Sequence, residues 1–246
     1  MGLLPYGDKL GEIYGDPDPA VAVSAKDAVA MEDYCASKRV CSNVLRTAEE
    51  WEAHEQGALL TKIGHPIEVE KLANGPAVEL SAPGEGRGPL DGIKIVDLTR
   101  VLAGPYGVRI LADYGAEVVR VTSKVARDHD FFWKVENVGK HWCECNVKEE
   151  ADKAKLLELI AGADVVVNIH TSFADLGISA PELCKAREGK PGLVFCNFSA
   201  FGVEGPWARR PGFDPNACMV TGMSEVCAYS SCAFATSHCS LSLFPT

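Results

Sequence analysis

Between Pro89 and Val121 the chain reads PLDGIKIVDLTRVLAGPYGVRILADYGAEVVRV, and this run constrains the fold more than any other. Ile93 to Leu98 (IKIVDL) is short, apolar and rich in β-branched residues, as a strand buried on both faces should be. A loop containing Gly104 and Pro105 follows. Tyr106 to Tyr114 places Val108, Leu111 and Ala112 at helical spacing, and Gly115 stands where a helix-terminating glycine belongs. Glu117 to Val121 (EVVRV) reads as a second strand. Together these form one βαβ unit, whose first βα turn lies where open α/β sheets take up ligands.

That turn is not a dinucleotide fingerprint. The fingerprint needs three glycines at GxGxxG spacing and an acid at the end of the next strand. Here the turn reads LAGPYG and the second strand runs into Thr122, Ser123 and Lys124. The missing features argue against a nicotinamide cofactor.

Downstream, Arg127 to Val138 reads as a loop carrying Phe131, Phe132 and Trp133. Glu149 to Ile160 is an amphipathic helix with Ala154, Leu157 and Ile160 on one side. Asp164 to Asn168 (DVVVN) and Leu193 to Phe198 (LVFCNF) are further strands, with Pro181 to Glu188 helical between them. Strands alternating with helices predict an α/β protein with a Rossmann-like, doubly wound, mostly parallel sheet.

Residues 1–86 have a different texture and predict a helical N-terminal segment. A helix is expected over Ala25 to Lys38 with Ser24 as its N-cap. A second opens at Thr47, with Glu50 completing a capping box. Leu72 to Gly88 is rich in Gly, Pro and Ala and reads as a linker. Residues 225–246 form an atypical Ser/Cys-rich tail, with a single acid, Glu225, no lysine or arginine, and neither helical nor strand periodicity.

The net charge of −10 comes with no Lys/Arg run, so nucleic acid is disfavoured as a partner. No apolar stretch approaches the length of a membrane-spanning helix. The first residues lack the basic-then-apolar order of a secretory signal, so an intracellular protein is expected. They also match a myristoylation signal poorly. The ten cysteines are then expected as free thiols. His141, Cys143 and Cys145 would share one face of a strand, but a metal needs a fourth ligand; buried core thiols are the expectation, with no metal.

The run Leu90, Gly92, Val96 to Pro105 and Leu111 to Ala116 follows, almost residue for residue, the opening pattern of the class III CoA-transferases. The chain resembles that family, which also contains α-methylacyl-CoA racemases and carnitine-CoA transferases. Further echoes come in order: Gly139-Lys140, Gly162 to Val165, Ser199 to Gly202, Gly205 to Trp207 and Arg210 to Asp214 (RPGFD). The resemblance covers about residues 87–224, read as the Rossmann-like CoA-binding domain. The run RTAEEWEAHEQG also resembles segments preceding the βαβ unit in some two-lobed members.

The resemblance implies transfer of CoA between carboxylic acids, with acyl-CoA and a carboxylic acid as partners and coenzyme A held as substrate rather than as a tightly bound cofactor. It implies that an aspartate attacks the thioester and forms a mixed anhydride. The matching CoA-binding positions are Val101, Leu102, Ala103, Lys140 and Asn168, with Lys140 as a point charge for a phosphate. Where the family often has Arg-Pro-Gly after the third strand, this chain reads Ile169, His170, Thr171, Ser172.

In the family the nucleophile lies downstream of the RPGFD-like motif, yet no aspartate follows Asp214 here. Asp214 is a weak catalytic candidate and reads as a helix cap beside Pro215 at the first helical position. The racemase branch has a histidine where this chain has Phe213, which cannot carry a proton. Three readings remain: a CoA-transferase, a catalytically silent CoA-binding or dimerisation fragment, and a racemase. Family members form interlocked homodimers, so a homodimer is a further expectation.

Overall fold

The computed structural model describes residues 26–64, 67–71, 88–123, 128, 130–169, 176–178, 180–188, 190 and 192–230. Their contacts divide into two units. One runs from Glu70 to Phe198; the other joins the residues up to Val69 with those from Ser199 onward.

The first unit is built on five parallel strands: β1 (Lys94–Leu98), β2 (Glu117–Ser123), β3 (His141–Cys145), β4 (Val165–Asn168) and β5 (Val194–Asn197). Their order is β3-β2-β1-β4-β5. The chain grows outward from β1 in one direction, then returns to its other side, so the β1/β4 boundary is the switch point of a doubly wound sheet. The expected fold class is thus observed.

Alternation along β1 explains why it reads as continuously apolar. Ile95 packs with Val108, Ala116, Val118 and Val167 on one face. Val96 and Leu98 pack with Leu156, Ile160, Ala163 and Val166 on the other. Strands covered on both faces need apolar residues at odd and even positions alike.

The helices of this unit are α4 (Ala103–Asp113), α5 (Asp130–Glu136), α6 (Glu150–Gly162) and α7 (Ala180–Ala186). Three differ from expectation. Helix α4 begins at Ala103, not Tyr106, so Gly104 and Pro105 lie in its first turn. A first-turn proline forfeits nothing, because those N–H groups have no intrahelical partner. Helix α5 occupies the stretch read as an aromatic loop. Apolar rings at successive positions hid its period, and Asn137 closes it by donating to the Trp133 carbonyl at 3.0 Å. In α6 the buried stripe is Asp152, Leu156 and Ile160, not one through Ala154. Asp152 turns inward because its carboxylate accepts the Asn146 N–H at 2.9 Å.

The second unit contains α1 (Ala28–Ser37), α2 (Ala48–Ala53), α3 (Glu55–Ile63), α8 (Asp214–Val220) and α9 (Met223–Ser230). Helix α1 starts later than expected and is capped by Asp27, which accepts from Ala30 N at 2.8 Å; Ser24 and most of the linker lie outside the described residues. The Thr47–Glu50 capping box is present in both directions. Helix α9 takes in Glu225, so the aperiodic tail begins with a helix; residues 231–246 lie outside the described residues.

This unit centres on Trp207. Phe201 and Val220 are buried with it, and Trp51 packs against them. Gln56 is fully buried and uses its whole amide: it donates to Phe201 O at 2.8 Å and Glu204 O at 3.0 Å, and accepts from Trp207 N at 2.9 Å. The guanidinium carbons of Arg46 and Arg210 sit 5.3 and 4.2 Å from the Trp207 ring. Arg46 pairs with buried Glu32 at 2.6 Å, and Arg210 pairs with Asp33. These contacts tie α1 and α3 to the 199–210 loop.

Candidate functional site

The β1–α4 turn leaves the carboxyl end of β1, the strand beside the switch point. Its flanks are buried and its crest is not. Thr99, Gly104 and Pro105 are buried, Val101 is half-buried, and Leu102 and Ala103 are exposed. Val101 has φ of +67°, a left-handed conformation that a β-branched residue adopts only when its surroundings impose it. Leu102 precedes α4 with no side-chain cap, so the first N–H groups of α4 are left without an intrahelical acceptor.

Beneath the turn lies a charged cluster that the sequence reading missed. Asp97 is fully buried on the α4 face of β1, directly opposite Arg120 in the β1–β2 register. Its Oδ1 accepts from Thr99 N at 2.9 Å, Thr99 Oγ1 at 2.6 Å and Arg120 at 3.3 Å. Its Oδ2 accepts from Lys140 Nζ at 2.9 Å. Arg120 also donates to Thr99 Oγ1 at 3.1 Å and to Asp128 at 2.7 Å. Asp128 in turn accepts from Arg100 in the turn, at 3.2 Å. A signal was available: each of two apolar strands carries one charge in its interior, Asp97 and Arg120, and the two have opposite sign.

Burial on its own would raise the Asp97 pKa, but the Arg120 and Lys140 charges and the Thr99 and Lys140 hydrogen bonds outweigh it and hold the carboxyl below its ordinary value. Burial lowers the Lys140 pKa, an effect that Asp97 opposes. A buried cluster of this kind is tolerable because every charge has a partner of opposite sign.

Lys140 does not present a charge to solvent. Its side chain has 0% exposure, and Nζ donates to Pro105 O at 2.7 Å as well as to Asp97, with Asn137 Oδ1 at 3.4 Å. In this arrangement the ammonium, expected on a phosphate, has internal partners, with Asp97 as the anion beside it.

Asn168 ends β4, in register with Leu98 of β1. It is fully buried, and its Nδ2 donates to Asn197 Oδ1 at 3.3 Å. Val101, Leu102, Ala103 and Asn168 therefore lie at the carboxyl ends of β1 and β4, whereas Lys140 precedes β3 at that strand's amino end and reaches Asp97 and Pro105 through its side chain. Asp214 belongs to the second unit. It is the first residue of α8, not its cap, and Pro215 follows at the second position. Its side chain is exposed and makes no hydrogen bond among the described residues. The N-terminal bond at this end is made by Asn216, which accepts from Phe213 N at 2.9 Å. His170 lies outside the described residues. No cluster of three metal-ligating side chains occurs among the described residues.

A parallel sheet wound outward on both sides of β1 defines a doubly wound α/β protein. Residues 90–234, more than half of the chain, match CoA-transferase family III, and the chain belongs to that family. It is 32% identical over 156 residues to an acetyl-CoA:oxalate CoA-transferase of Acetobacter aceti, covering 58% of this chain and 39% of that protein. It is 32% identical over 152 residues to the human succinyl-CoA:glutarate CoA-transferase, covering 56% and 34%. A crystal structure of a CAIB/BAIF family protein from Brucella suis overlaps 57% of this chain and 40% of its own, at 30% identity and a TM-score of 0.47. The chain spans little more than a third of the length of the curated relatives it matches. Among the described residues no helix is long and apolar enough to cross a membrane.

Proposed function

We propose that this chain supplies the CoA-binding part of an acyl-CoA:carboxylate CoA-transferase, with the β1–α4 turn taking up the coenzyme. One observation carries the reading: an exposed crest, Leu102 and Ala103, that follows a half-buried Val101 held at positive φ beside the switch point of the sheet. Unsatisfied N–H groups at the start of a helix suit an anionic group, and a backbone crest can approach a ligand closely. Asn168, one strand away, lies on the same edge of the site.

CoA transfer by a carboxylate nucleophile proceeds in balanced steps. The carboxylate attacks the thioester carbonyl, the C–S bond breaks, and CoA leaves as thiolate, giving a mixed anhydride. The thiolate then attacks the anhydride at the nucleophile's own carbonyl, releasing the first acid and leaving the nucleophile as a CoA thioester. Attack by the second acid passes the acyl-CoA bond onward through the same intermediates. No aspartate follows Asp214 in the 246 residues, and Glu225 is the one later acid. This favours a second reading of these residues, in which they bind CoA without transferring it.

Calorimetry with CoA and with NAD tests the first reading. Heat of binding with CoA and none with NAD is expected, and a flat CoA titration would overturn it. A transfer assay from succinyl-CoA on wild type, Asp214→Asn and Glu225→Gln separates the two readings. Little or no turnover is expected for the 246 residues; turnover lost in Asp214→Asn would make that exposed carboxylate the nucleophile, and turnover lost in Glu225→Gln would assign it to α9.

A further inference from the structure

The β1–α4 turn is pinned at both flanks by groups that do not reach its exposed crest. On the entry side, Asp97 holds Thr99 through both the backbone N–H and the hydroxyl, and Arg120 adds a second bond to that hydroxyl. On the exit side, Lys140 donates to Pro105 O. The flanks also touch: a Cβ built on Gly104 would meet Thr99 side-chain atoms at 2.4 to 2.8 Å, so the first turn of α4 rests directly on Thr99. Between the flanks stands Val101 at positive φ. A valine gains nothing locally from that conformation; fixing the chain at both ends imposes it.

An ammonium has three donors. Those of Lys140 face Asp97 Oδ2, Pro105 O and Asn137 Oδ1. Arg120 spends NH1 on Asp97 and Thr99 and NH2 on Asp128. Neither side chain is more than 1% exposed.

We propose that Asp97, Arg120 and Lys140 are positioning residues: they lock the crest Val101 to Ala103 in its ligand-receiving shape without touching the ligand. The proposal rests on the reading of this turn as a CoA site. The matching lysine thus acts through the Pro105 carbonyl and not through a phosphate. When the lock is removed, the receptive shape becomes one of several, and affinity falls in proportion to its population.

The test uses the full chain as wild type, Lys140→Met and Thr99→Val, with CoA and 3′-dephospho-CoA as probes. Thr99→Val removes the hydroxyl and leaves every charge in place, so it serves where Lys140→Met fails to fold. Both variants are expected to weaken CoA by about tenfold, the receptive population falling to about a tenth. Each should weaken 3′-dephospho-CoA by the same factor. In the unliganded protein the Tyr106 amide, bonded to Leu102 O at 2.9 Å, should exchange faster in both variants, while the β4 amides keep the wild-type rate. A loss for CoA that spares 3′-dephospho-CoA in Lys140→Met would place Lys140 on the 3′-phosphate and overturn the proposal. Unchanged Tyr106 exchange in both variants would also overturn it. Failure of wild type to bind CoA sinks the functional reading alone, because the exchange measurement still decides whether the turn is locked.

Discussion

Asp97 is where sequence, stability and site meet at the scale of one residue. Its carboxylate faces two buried cations, and removing its charge leaves Lys140 without its paired carboxylate and Arg120 with Asp128 alone. Asp97→Asn is expected to cost about 3–5 kcal/mol of unfolding free energy, the range for breaking a buried charge pair from one side. Denaturant unfolding at neutral pH measures it. The pH dependence has a defined sign. The folded-state pKa of Asp97 lies below its ordinary value, so its stabilising contribution is fully present above the unfolded carboxylate value of about 4 and is lost as pH falls through the folded one. Wild type should therefore lose stability on acidification below about pH 4 more steeply than Asp97→Asn. Glu32 adds a component of the same sign: burial raises its pKa, but the Arg46 hydrogen bond and charge, with help from Val44 N and Asn43, bring it below the ordinary value.

At the scale of elements, α4 and the loop after Ser199 are held in different ways. Helix α4 is seated by Val108, which is 1% exposed between Ile95 and Val118. Val108→Ala should cost about 1.5–3 kcal/mol, from the apolar surface lost and the cavity left, read as a lower midpoint at unchanged slope in denaturant unfolding. The 199–210 loop instead has three of its backbone groups bonded by one buried amide, that of Gln56. Gln56→Leu would leave Phe201 O, Glu204 O and Trp207 N without their partner, at about 1–3 kcal/mol for each buried group left unsatisfied. The same unfolding experiment should show a larger loss for Gln56→Leu than for Val108→Ala. What the sequence made legible follows the same division. Strands β1, β2 and β4 announced themselves because burial on both faces demands apolar runs; the edge strand β5 read the same way although Val194 and Cys196 are exposed. The Thr47 box was legible because capping is local. Helix α5 was hidden because Phe131, Phe132 and Trp133 are consecutive, which masks a 3.6-residue period. The start of α4 was misplaced because Gly104 and Pro105 signal a loop in most contexts, and here stand in the one turn that tolerates both.

At the scale of the whole molecule, the five candidate CoA positions come from the resemblance, and topology brings four of them, Val101 to Ala103 and Asn168, to one end of the sheet. The role of Lys140 was not legible, because it depends on Asp97 and Pro105, which are 43 and 35 residues away in sequence. No spacing rule links three positions that only a folded sheet brings together. Asp214, the weak catalytic candidate of the RPGFD motif, is the exposed first residue of α8. The proposed seat of CoA is the β1–α4 turn of the first unit. The most direct test is an amide chemical-shift map of the full chain titrated with CoA. The largest shifts are expected on Arg100 to Gly104 and on Asn168, with β3 and α8 unmoved. Saturable shifts confined to other segments, or none at all, would contradict it.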